Sequence, residues 1–82
     1  MAPAAFVSCC DKLHNARSIV SDLRQHGEKV WQKFAGGKEG SLWYYTTLRD
    51  EYKRLKVCPP LVEELERTLD VMLELAARQS PA

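Results

Sequence analysis

The densest run of reactive side chains in the sequence is Cys10-Asp11-Lys12-Leu13-His14-Asn15-Ala16-Arg17-Ser18. It brings a thiol, a carboxylate, an imidazole, an amide and two cations into about two and a half helical turns. At about 100° per residue, Asp11, Asn15, Ser18 and Asp22 fall on one helical face. Phe6, Cys9, Leu13, Ala16, Val20 and Leu23 gather on roughly the opposite face. The plain meaning is an amphipathic helix with a wet side, because charged residues are mostly exposed. The chemical meaning lies in Asp11 and Asn15, an acid and an amide one turn apart. A carboxylate binds hard or borderline cations, and a neighbouring amide can orient a phosphate or nucleotide. One carboxylate does not hold a catalytic metal, which takes three or four protein ligands and an open position.

Other chemistries fit the residues less well. Cys10 and His14 stand at i and i+4, but Cys58 and His26 lack the paired short spacing of a structural zinc site. Cys9 or Cys10 as a nucleophile needs an activating base, and a cysteine within a helix is more often a small core residue. The cluster Gly36-Gly37-Lys38-Glu39-Gly40 lacks the spacing and the preceding strand of a phosphate loop. No catalytic residue is assigned.

The elements that must position these groups read as helices throughout. The first runs from Ala4 or Ser8 to Gln25, with Ser8 and Asp11 at capping-box spacing and Gly27 as a left-handed stop. A short helical turn follows over Glu28–Phe34, with Val30, Trp31 and Phe34 on one side. Ser41 is expected to cap a helix to about Lys56, whose stripe is Leu42, Tyr45, Leu48, Tyr52 and Leu55. Trp43 and Tyr44 lie beside that stripe; burial against a neighbouring helix is favoured for them over stacking on a nucleobase. Pro60 opens the last helix, which carries Leu61, Leu65, Leu69, Met72, Leu73 and Ala76 and fades into Arg78–Ala82. The expected fold is all-α, a small bundle of three long helices and one short one forming a single domain over 1–82.

Composition bounds the function. Twelve Lys and Arg against eleven Asp and Glu leave a formal charge of +1, with no strong field for nucleic acid or an anionic membrane. No apolar run approaches the ~20 residues of a membrane span. The apolar start has no Lys or Arg before it, which makes it a poor signal peptide. Three cysteines, an odd number without staple-like spacing, point to a reducing compartment. A cytoplasmic protein is expected.

The stretch Val7–Arg17 resembles the last metal-ligand helix of the HD-domain metal-dependent phosphohydrolases. The branch it looks most like is that of the RelA/SpoT-type guanosine polyphosphate hydrolases, whose helix carries a D-K/R-L-H-N core, here Asp11-Lys12-Leu13-His14-Asn15. Asp22–Gly27 and Glu39–Tyr45 are similar to small bacterial proteins of that type, and the likeness spans about Phe6 to Tyr52. The resemblance implies an all-helical bundle in which a His, a His-Asp pair and a later Asp hold one divalent ion, often manganese. That ion activates water against a phosphate ester or pyrophosphate linkage. Asp11 matches the later metal-ligand Asp, and Asn15 matches the asparagine beside the bound nucleotide, guanosine tetraphosphate (ppGpp) or a relative.

The upstream half of that ligand set has no counterpart here. In the family the His and the His-Asp pair come many tens of residues earlier; only ten residues precede Asp11, and neither His14 nor His26 is followed by an Asp. The sequence thus looks like the C-terminal portion of an HD domain, expected to be inactive alone. The alternative is a non-catalytic helical interaction module. A partial domain leaves apolar faces uncovered, and such faces favour self-association into a homo-oligomer.

Overall fold

The computed structural model describes residues 4–79. Helix α1 spans Ala4–His26, a 3₁₀ segment spans Gly27–Lys33, α2 spans Gly37–Arg54 and α3 spans Pro59–Gln79. There is no strand among the described residues. The architecture is the expected all-α bundle of three long helices and a short helical segment. The expected fading of the chain over Ser80–Ala82, and Met1–Pro3 of the signal-peptide reading, lie outside the described residues.

The helices run up, down and up. Ser8 meets Tyr52 and Lys38 meets Ala76, so α2 is antiparallel to both neighbours. Arg17 meets Glu64, in keeping with α1 and α3 running side by side in one direction. The α1–α3 seam is the most extensive packing in the molecule. Cys9, Leu13, Ala16 and Leu23 of α1 bury against Leu65, Leu69, Met72 and Ala76 of α3 in one core. Val30 and Trp31 close the end of this core from the 3₁₀ segment, and Tyr45 and Tyr52 enter it from α2. The repeat of apolar residues at three and four thus sets which faces meet. Phe6 and Leu55, assigned to the stripes, are instead exposed near the helix ends, beside the α2–α3 connection at Lys56–Cys58.

The ends of the helices follow backbone chemistry. Gly27 takes φ 64° and stops α1, as the sequence predicts. The helix begins at Ala4, so Ser8 lies inside it and is not its cap. Likewise α2 begins at Gly37, and Ser41 is buried within the helix instead of capping it. The earlier start depends on two glycines: a Cβ on Gly36 would come within 3.1 Å of the Gly40 Cα. At the other end Lys56 has φ 55°. Its N–H donates to the Lys53 carbonyl at 3.2 Å, and the Val57 N–H donates to the Tyr52 carbonyl at 3.1 Å. This is a Schellman closure with lysine in the position that favours glycine. The Cys58 carbonyl then accepts from the N–H groups of Leu61 and Val62, and α3 starts at Pro59, one residue before the expected Pro60.

Candidate functional site

Asp11 and Asn15 stand one turn apart on α1, on the flank that faces α2. The Asn15 amide donates to Asp11 Oδ2 at 3.4 Å, and the Lys12 ammonium donates to the same oxygen at 3.0 Å. That hydrogen bond raises the Lys12 pKa above the ordinary lysine value. Lys12 also lies over the ring of Tyr44, with Nζ 5.9 Å from its centroid. Tyr44 in turn meets Tyr45 edge-on, with centroids 5.3 Å apart. A polar cluster on α1 is therefore joined to an aromatic pair on α2 through one ammonium.

Below this cluster the space between the helices opens into a groove. Asn15, Ser18, Ile19 and Asp22 line one wall, and Phe34 and Tyr45 the other, around a concavity of about 260 Å³. Phe34 and Tyr45 also border a second, adjoining concavity of about 540 Å³ that runs past Gly36 and Gly40 to Trp43 and Tyr44. Asp22 closes the far end by accepting from Lys33 at 3.3 Å. Burial pushes the Tyr45 phenol up, so its hydroxyl stays protonated at neutral pH and can donate.

The face predicted from spacing is thus present. Asn15, Ser18 and Asp22 line one concavity, with Asp11 at its mouth. The other wall corrects an expectation: Trp43 and Tyr44 are not buried against a helix, being 67% and 44% exposed. The aromatic places in the core are filled by Trp31, Tyr45 and Tyr52, which leaves these two for the surface. The contribution of Phe34 was not predicted, because it comes from a loop folded back between α1 and α2. Its signals in the sequence are its place beside Val30 and Trp31 on one side of the short helical turn and the glycine-rich break that follows it.

The residues present do not by themselves fit a divalent ion. The Asp11 carboxylate is 58% exposed and already accepts a lysine ammonium, which repels a cation. Among the described residues no group of three or more His, Cys, Asp or Glu side chains is placed to hold a metal ion. His14 and Cys10 are both exposed, and the Cys9 thiol is buried, which pushes its pKa up and keeps it in the unreactive protonated form. No described helix is long and apolar enough to cross a membrane. Comparison with known proteins adds no family to this geometry: no family model, no curated protein and no solved structure matches the chain.

Proposed function

We propose that this chain is the nucleotide-binding, C-terminal portion of an HD-type phosphohydrolase fold, directed at ppGpp or a related nucleotide, and that it does not hydrolyse that nucleotide unaided. The observation that supports the reading is the α1–α2 groove, which sets Asn15 and Ser18 opposite Phe34 and Tyr45, with the exposed rings of Trp43 and Tyr44 bordering the adjoining concavity. Amide and hydroxyl groups read the polar edge of a base, and exposed aromatic faces stack on its plane. Lys12 at the mouth supplies a cation for phosphate. Asp11 matches one metal-ligand position of that family, and among the described residues no further ligand stands beside it to complete a manganese site.

The test is calorimetric titration of the purified chain with ppGpp. Asn15→Ala is expected to weaken binding about tenfold, as loss of a specific polar contact does. Equal affinity in the variant removes the groove from the proposal. Incubation with ppGpp and manganese is expected to release no pyrophosphate. Turnover that disappears in Asp11→Asn would instead show a complete catalytic centre.

A second reading is an interaction module that pairs with another copy of itself. It is favoured by the exposure of Trp43 and Tyr44 on one helix and of Phe6, Val7 and Leu55 at one end of the bundle. Light scattering that reports a monomer at high concentration excludes it.

A further inference from the structure

A separate groove lies on the other flank of α1, where it meets α3. Arg17, Ser21 and Arg24 recur along α1 at spacings of four and three, and Thr68 and Val71 face them from α3 around a concavity of about 310 Å³. Residues seven apart on a helix are separated by about 10.5 Å along the axis. Two arginines therefore flank one space, with Ser21 between them on α1 and an apolar floor from Val20 and Val71. Thr68 lies across from Ser21, its hydroxyl donated to the Glu64 carbonyl at 2.9 Å.

The pairing of arginines singles this place out. Arg17 and Arg67 share Glu64, while Arg49, Arg54 and Arg78 pair with Asp50, Glu51 and Glu74. Among the described residues Arg24 alone of the arginines has no carboxylate partner. Arg17 holds its partner loosely, at 3.3 Å with both side chains substantially exposed. Glu64 keeps Arg67 when Arg17 turns away, so an incoming anion leaves no acid unpaired. Guanidinium forks match the oxygens of phosphoryl groups two at a time, and two forks along one face suit two linked phosphoryl groups better than one.

We propose that the α1–α3 groove binds a diphosphate-bearing anion, either free pyrophosphate or the diphosphate of a nucleotide, held by Arg24 and by Arg17 released from Glu64. The site is independent of Asp11 and Asn15, which lie on the opposite flank of the helix.

Isothermal titration of the full chain at physiological salt tests it, with pyrophosphate, GDP and sulfate as separate titrants. One pyrophosphate per chain is expected, weakened about tenfold or more by Arg24→Gln, the loss typical of a charge-assisted contact. Arg24→Lys, which keeps the charge without the fork, is expected to fall between. Glu64→Gln is expected to tighten binding about threefold by removing the competitor for Arg17. Asn15→Ala is expected to leave the pyrophosphate isotherm unchanged, which separates this site from the α1–α2 groove. GDP binding with the same Arg24 dependence identifies a nucleotide as the source, and pyrophosphate binding alone identifies the free anion. The proposal is overturned if neither pyrophosphate nor GDP binds, if sulfate binds as tightly as pyrophosphate, or if Arg24→Gln leaves the pyrophosphate isotherm unaltered. Arg24 is exposed, so circular dichroism of its variants should match the parent.

Discussion

The hydroxyls of Ser8 and Tyr52 meet at 2.6 Å across the α1–α2 junction, joining residues 44 positions apart in the chain. Tyr52 is buried and its pKa is raised by that burial, so its phenol stays protonated and needs a partner. Tyr52→Phe is expected to cost about 1 kcal/mol of unfolding free energy, the usual net value of such a bond. Tyr52→Ala is expected to cost about 3–5 kcal/mol through the cavity it leaves. Urea denaturation measures both. Equal losses in the two variants would mean that the ring contributes nothing beyond its hydroxyl.

Lys56 carries the left-handed conformation at the end of α2. That conformation costs a side-chain-bearing residue about 1–2 kcal/mol, against about 0.5–1 kcal/mol of extra chain entropy lost by a glycine. Lys56→Gly is expected to raise stability by about 0.5–1 kcal/mol, read as a higher urea midpoint with an unchanged slope. A lower midpoint would show that the Lys56 side chain makes a contribution larger than the backbone strain.

The three cysteines should separate in their reactivity. Cys9 is fully buried, and burial raises its pKa, whereas Cys10 and Cys58 are exposed. A thiol-specific reagent at neutral pH is expected to modify Cys10 and Cys58 quickly. Cys9 should react only when the protein opens, and then at the rate of unfolding or local opening. Three equal rates under native conditions would contradict the packing of α1 against α3.

Acid should loosen the molecule in a defined window. Hydrogen bonds from Arg67, Lys53 and Arg54 hold the Glu64, Glu66 and Glu51 carboxyls below the usual glutamate range. A carboxyl whose folded pKa is depressed stabilises the fold above its unfolded value, near pH 4.3, and that contribution is lost as pH falls through the folded value. The thermal midpoint is therefore expected to decline below about pH 4.3 and to be level above it, up to neutrality. All three acids are solvent-accessible, so about 1 M salt should flatten the decline. A decline that begins well above that range would contradict the role of these three ion pairs.

The apolar faces of α1 and α3 were legible in the sequence because both helices repeat apolar residues at three and four over four turns or more, but which faces pair was not. Leu13, Ala16 and Leu23 fell where the period put them, as did Leu65, Leu69 and Met72. The errors cluster where tertiary contacts compete with local rules. Ser8 looked like a cap because its spacing to Asp11 imitates one, yet its hydroxyl is taken by Tyr52. Ser41 looked like a cap because nothing local shows that Gly36 and Gly40 let the backbone close a turn earlier. Trp43 and Tyr44 were assigned to the interior on residue type alone, and competition from Trp31, Tyr45 and Tyr52 for that space is not visible in a linear pattern. Of the candidate site, the Asp11–Asn15 face followed from spacing. Its opposite wall did not, since Phe34 and Tyr45 reach it from two separate segments.

The two tryptophans sit in opposite surroundings, Trp31 walled into the interior at 5% exposure and Trp43 standing in water beside the α1–α2 groove. The protein thus carries two built-in lamps, one emitting toward the blue from the core and one toward the red from the solvent. An iodide quencher should dim the outer lamp and spare the inner one. An occupant of the groove that shields Trp43 should be visible as a loss of that quenching, while the light from Trp31 independently shows that the bundle has stayed folded.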